Sequence, residues 1–151
     1  MFFTPINIII KNFNIINDFI KKNNINITNI LEPSCGSCEF IRYINHYYKN
    51  KNIIGIENNE IIFNNINNIK FTNNNNNNIN LIFSDYLKYN TNIKFDLIIG
   101  NPPYVVIKKE LVKIETNNLY FGRPNLFILF IIHSLNYINN NGIISFILPK
   151  N

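Results

Sequence analysis

The 151-residue sequence contains no tryptophan, one methionine, two cysteines, two histidines and five glycines. Each scarcity closes a route. A structural zinc ion takes four ligands, and the two cysteines would have only His46 and His133 beside them, both in stretches that read as ordinary helix. No metal is expected. The longest apolar run, residues 126–132, is far short of the roughly 20 residues that cross a bilayer. The opening stretch, MFFTPINIIIKNFNIINDFIKK, is broken by Pro, Asn, Lys and Asp and lacks the continuous apolar core of a secretory signal. The expectation is a soluble, intracellular protein with reduced thiols and no membrane partner. A net charge of +5 favours a polyanionic partner only weakly.

Asparagine and isoleucine are abundant, together about 45% of the residues. Both have A/T-rich codons, so the excess reads as a base-composition bias, and the asparagine runs are expected to carry little functional information. With 46% hydrophobic and 15% charged residues the chain can bury one sizeable core. A single domain over residues 1–151 is expected.

Along the chain, strand and helix patterns alternate. Thr4-Pro5 followed by apolar residues at 6, 9, 10, 13, 16 and 20 predicts a helix capped by Thr4 with Pro5 at its first position. A short β-branched strand over 27–31 is stopped by Pro33, and helical spacing resumes from Phe40 to Tyr48. The unit repeats, with a strand over 52–57 and apolar spacing at 61, 62, 66 and 69. After a loop over 73–78, "INLIF" predicts a third strand, and "KFDLIIG" a fourth that ends before two prolines. Residues 124–138 predict a helix apolar almost all round, and "GIISFILP" a fifth strand after an Asn-Asn-Asn-Gly turn. This order predicts an α/β fold with a mostly parallel, doubly wound sheet.

In such sheets ligands bind beyond the carboxyl ends of the strands. Those ends carry Glu32 to Cys38, then Glu57, then Asp85, then Asn101-Pro102-Pro103-Tyr104. Glu57, 21 residues after Gly36, stands where an acid accepts from ribose hydroxyls, and Asp85 is positioned for an adenine amino group. The first loop has only Gly36 where a pyrophosphate binder wants three glycines. A nucleoside cofactor without a diphosphate is therefore favoured over a dinucleotide. Asn101 to Tyr104 is the most specific signal. An exocyclic aromatic amine is a poor nucleophile because its lone pair is conjugated into the ring. Two acceptors, Asn101 Oδ1 and the Pro102 carbonyl, would grip its hydrogens and free that pair, while Tyr104 would stack on the base.

These segments resemble the S-adenosylmethionine-dependent N6-adenine DNA methyltransferases of type II restriction-modification systems. "FFTP", "LEPSCGSCEF", "IGIENN", "FSDYL", "DLIIGNPPYV" and "NLFILFIIHSLNYINNNGIISFILP" match the family's segments in order. The resemblance implies a Rossmann-like class I methyltransferase fold and methyl transfer from S-adenosylmethionine to adenine N6 in DNA, with the base flipped out. It implies Asn101, Pro102, Pro103 and Tyr104 as catalytic, and Thr4, Glu32, Ser34, Cys35, Gly36, Glu57, Asp85 and Tyr86 as cofactor-binding. Family members continue past the fifth strand with two more strands and a target-recognition domain, so an incomplete carboxyl end is expected, with recognition supplied by a second chain. Where the family has Gly this chain has Cys38, whose Cβ is expected to crowd the cofactor's methionine end.

Alternatives stay open at this stage. Cys35-x-x-Cys38 opening a helix after a strand is also how thioredoxin-like dithiols are built, although the tryptophan usual before that motif is missing. The chain could be a partner-dependent or inactive cofactor-binding module. Asn-Pro-Pro-Tyr also occurs in methyltransferases acting on RNA or protein glutamine, though "LEPSCG" favours the DNA group. Lys108, Lys109, Lys113 and Arg123 could meet phosphates or form a solvated loop face.

Overall fold

A computed structural model of the chain describes residues 4–71, 75–107 and 125–148. The basic cluster from Lys108 to Arg123, Phe2 and Phe3 of "FFTP", and Pro124 lie outside the described residues. The elements run α1 (Ile6–Lys22), β1 (Asn29–Glu32), α2 (Glu39–Tyr47), β2 (Asn52–Glu57), α3 (Glu60–Asn67), β3 (Asn78–Phe83), a 3-10 turn (Tyr86–Lys88), β4 (Phe95–Gly100), α4 (Leu126–Leu135) and β5 (Ile138–Phe146). The strands form one sheet in the order β3-β2-β1-β4-β5, and every pairing between them is parallel.

Alternation along the strands builds a core on each face. Ile30, Ile53, Leu97 and Ile99 meet α1, α2 and α3 through Ile9, Phe13, Ile16, Phe40, Ile41, Ile44 and Ile66. Leu31, Ile56 and Ile98 turn the other way, onto Tyr86, Phe130 and Tyr137. This is the period of two of a pleated strand carried into two layers. Among the described residues, no helix is long and apolar enough to cross a membrane.

Three local expectations are corrected. The first helix begins at Ile6 with Pro5 at the cap position, and no side chain caps it. Losing a cap costs about 1 kcal/mol, whereas burying Ile9, Phe13 and Ile16 stabilises by about 1.5–3 kcal/mol each. Packing decides the helix and leaves the Thr4 hydroxyl for another partner. Secondly, the Asn-Asn-Asn-Gly segment is no turn before the fifth strand but part of it. Phe95 pairs with Ile138 and Leu97 with Ile143, so the extra residues are absorbed as an irregularity, with Asn141 at φ 65°. Thirdly, the last helix is shorter than 124–138, because Asn125 caps it by accepting from Phe127 N–H at 3.3 Å.

The asparagine-rich loop is also more than filler. Buried Asn77 accepts from Lys51 N–H at 2.9 Å and donates to Tyr48 O at 2.8 Å and to Asn45 Oδ1 at 3.0 Å. Asn75 donates to the carbonyls of Asn45 and His46. These side chains fasten the end of α2 to the start of β3. Leaving buried backbone groups without partners costs about 1–3 kcal/mol. Asn77→Ala is expected to lower stability by about that amount, while exposed Asn80→Ala stays within about 0.5 kcal/mol. Urea unfolding of the two variants checks this.

Candidate functional site

The chain leaves β1 towards β2 on one side, and returns as β4 on its other side. Loops from neighbouring strands therefore part at the carboxyl end of the sheet, and a crevice opens there. It is a cleft of about 260 Å3. Pro33 and Ser34 line it from the first loop, Glu57 and Asn58 from the second, and Ser84, Asp85 and Tyr86 from the third. Asn101, Pro102, Pro103 and Tyr104 line it from the fourth, with Leu126 and Phe130 of α4 closing one wall.

Glu57 is buried at the end of β2 and ties two loops together. Its Oε2 accepts from Gly36 N–H at 3.0 Å and its Oε1 from Asn59 N–H at 2.8 Å. Gly36 adopts φ 51°, and a Cβ there would meet nothing within 4 Å, so the loop keeps an open face. Ser34 Oγ donates to Asn101 O at 3.2 Å, which joins the first loop to the fourth across the crevice. Asp85 Oδ1 accepts from Leu87 N–H at 3.1 Å and caps the 3-10 turn, and its Oδ2 lies 3.8 Å from Lys88 Nζ. Tyr86 reaches behind the cleft, where its hydroxyl donates to Ser134 Oγ at 2.8 Å and Ser134 donates to Phe130 O at 2.7 Å. Burial pushes the Tyr86 phenol up to about 12, so it stays a neutral donor.

Asn101 is held from two sides. Its Nδ2 donates to Thr4 Oγ1 at 3.2 Å, and the Tyr104 hydroxyl donates to its Oδ1. That hydroxyl has a second acceptor within reach, Ile147 O at 2.7 Å. With one proton it serves one of them at a time. Tyr104 is 41% exposed and meets Phe127 edge-on at 6.4 Å. A stacking role therefore requires its ring to leave Asn101, and the Ile147 carbonyl gives the hydroxyl an alternative acceptor.

Four of the residues assigned to the cofactor do not line the cleft: Thr4, Glu32, Cys35 and Gly36. Thr4 lies on Asn101, and Gly36 acts through its N–H on Glu57. The Cys35 and Cys38 side chains are buried in the core beneath α2, and Cys35 Sγ would lie 3.2 Å from a Cβ at Gly55. The Cys35 thiol is pushed far up by its hydrogen bond with Cys38 and by burial. Reactive dithiols need a stabilised thiolate in partial contact with solvent; here the sulfurs are packing atoms. Cys38 does not crowd the cleft either. Its residue takes φ 66° at the entry to α2, which explains why glycine suits the position. Asn58, Ser84, Leu126 and Phe130 were not foreseen. Their signal was present only as adjacency to Glu57 and Asp85, and as an i, i+4 pair on α4.

Glu32 closes the inventory. It is 2% exposed at the end of β1, and its Oε2 has no hydrogen-bond partner. Burial raises its pKa well above the ordinary carboxylate value, with Cys38 and Glu39 adding to the shift. The folded chain thus holds this proton at pH values where the unfolded chain has lost it. Stability from this group falls as pH rises from the ordinary carboxylate range through the raised value. Glu32→Gln should remove that slope, so the variant's advantage in urea midpoint grows from pH 4 to pH 8. At Cys38 the left-handed backbone costs a Cβ-bearing residue about 1–2 kcal/mol. Cys38→Ala keeps that cost and loses the buried sulfur, whereas Cys38→Gly relieves it. Glycine should be the more stable of the two by about 1 kcal/mol, the reverse of helix propensity, as read by urea unfolding.

A family model described as Eco57I restriction-modification methylase matches residues 10–151. The Type II methyltransferase M.CvrRI of Paramecium bursaria Chlorella virus XZ-6E is 42% identical over 81 residues, 51% of this chain and 18% of that protein. The modification methylase CviBIII of Paramecium bursaria Chlorella virus NC1A is 32% identical over 122 residues, 80% of this chain and 30% of that protein. The Type II methyltransferase M.AccI of Acinetobacter calcoaceticus is 34% identical over 128 residues, 80% of this chain and 23% of that protein. The chain thus spans less than a third of these relatives' length. In three dimensions it superposes on a class I S-adenosylmethionine-dependent methyltransferase from Listeria monocytogenes with a TM-score of 0.70 at 17% identity, covering 97% of this chain and 46% of that one. The plantazolicin methyltransferase BpumL gives a TM-score of 0.63 at 17% identity, covering 91% of this chain and 45% of that one. The fold is that of the class I S-adenosylmethionine-dependent methyltransferases, and the chain belongs to the Eco57I restriction-modification methylase family.

Proposed function

We propose that the chain is the cofactor-binding and catalytic segment of a DNA methyltransferase that moves a methyl group from S-adenosylmethionine to adenine N6. The observation that carries this reading is that Asn101 to Tyr104 border the same cleft as Glu57 and Asp85. A group that activates an aromatic amine then faces the acids suited to an adenosine.

The residues present fit that cofactor. Glu57 has one hydrogen bond on each oxygen, and each oxygen keeps a further lone pair for ribose hydroxyls. Tyr86 and Phe130, 4.9 Å apart between ring centres, offer an apolar wall beside Asp85 for a purine. When bound, S-adenosylmethionine supplies an electrophilic methyl group on a sulfonium.

The chain's own residues prepare the acceptor. Asn101 Oδ1 and the Pro102 carbonyl accept the two hydrogens of the amine and draw its nitrogen towards tetrahedral geometry. The lone pair then points out of the ring's conjugation, and Tyr104, released from Asn101, stacks on the base. An adenine in a duplex reaches strand-end residues of this kind only when flipped out. Selection of a DNA sequence is assigned to the part of the relatives' length that this chain does not span, or to a second chain.

Asn101→Ala should reduce transfer to an adenine-containing oligonucleotide by about a hundredfold or more, the scale of losing a preorganised polar contact in a transition state. Its affinity for S-adenosylhomocysteine in calorimetric titration should stay within about twofold. Glu57→Ala should do the opposite first, weakening the cofactor product at least about tenfold. Undiminished transfer by Asn101→Ala, or transfer to RNA or glutamine peptides in preference to DNA, would overturn the reading.

A further inference from the structure

We infer that Thr4 is a positioning residue for Asn101, anchoring the carboxamide through Nδ2 so that Oδ1 is held ready for the amine. The inference rests on the methyl-transfer reading above and assigns Thr4 a task other than cofactor contact. Three observations carry it. Thr4 is 8% exposed, and its Oγ1 accepts from Asn101 Nδ2 at 3.2 Å, across 97 residues of chain. The cleft beside Asn101 is not lined by Thr4. Finally, Thr4 stands just before a helix whose amino end no side chain caps, although threonine is a preferred capping residue. Its hydroxyl is turned from the nearest backbone donors to a side chain on β4's loop.

The chemistry needs such a hold. An amine is gripped by acceptors, so an Asn101 turned by 180° about its last torsion would offer two more donors and repel the substrate. While Tyr104 donates to Oδ1 the amide is held at both ends. Once the amine displaces Tyr104 and takes Oδ1 as its acceptor, the Thr4 hydroxyl remains as the partner of Nδ2 and keeps the carboxamide from swinging free. This geometry is thus set by a residue on the segment that leads into α1, and the packing of α1 on the sheet through Ile9, Phe13 and Ile16 delivers it.

The test compares the unaltered chain with Thr4→Val, Thr4→Ser and, should valine not fit, Thr4→Ala. In 15N-labelled protein the Asn101 side-chain amide pair is identified by its loss in Asn101→Ala. Thr4→Val is expected to shift that pair and Thr4→Ser to restore it. Affinity for S-adenosylhomocysteine should stay within about twofold, and transfer to an adenine oligonucleotide at saturating S-adenosylmethionine should fall about tenfold, the scale of one hydrogen bond. An unmoved amide pair, an unchanged transfer rate, or a loss of cofactor affinity with the pair in place would overturn the inference. Failure of the unaltered chain to bind the cofactor product would instead count against the methyl-transfer reading, and the amide signals would still report on Thr4.

Discussion

The site depends on one carboxylate. Glu57 ends a strand buried in the sheet, and its two oxygens receive the N–H groups of Gly36 and Asn59. That bond pair joins the loop after β1 to the loop after β2, and so fixes the position of the open-faced glycine turn against the rest of the crevice. A buried carboxyl that accepts from two backbone donors is a strong, short-range constraint, because leaving either donor without a partner carries a desolvation cost. Ser34 completes the tie on the other side by bonding Asn101 O. Two loops that diverge from a topological switch are thereby held at a set distance.

The acids of the crevice play different parts because their surroundings differ. Glu57 accepts from two backbone donors and Asp85 from one, whereas Glu32 lies behind them with one oxygen unpartnered and its carboxyl pushed towards the neutral form by burial. Burying an unpaired charge costs more than holding a proton. A single row of strand-end carboxylates therefore contains both hydrogen-bonded acceptors and one buried group held towards its protonated form.

Much of the architecture was legible because it is written locally. The alternation at Ile30 and Leu31, or at Leu97, Ile98 and Ile99, already distributes side chains to two faces, and Gly100 with its prolines marks where β4 must stop. The segment from Ile138 to Gly142 misled for the same reason. Three asparagines and a glycine carry turn propensity, yet pairing with β4 holds them in an irregular strand. Asn77 is a second case. Nothing in a run of asparagines distinguishes the one whose amide meets Lys51, Asn45 and Tyr48.

The sequence by itself determined the order of elements, the parallel sheet and the gathering of Glu57, Asp85 and Asn101 at one end of it, because periodicity and turn chemistry act over a few residues and crossover handedness does the rest. The tertiary structure alone decided which way the side chains of the first loop face. Cys35 and Cys38 turn into the core because the positive φ at Gly36 and Cys38 sets the loop's direction, and Glu57 holds it there. It also decided that Thr4 meets Asn101. No local spacing encodes a contact across 97 residues; it exists because α1 packs its apolar stripe against the sheet and carries its amino end to the mouth of the crevice.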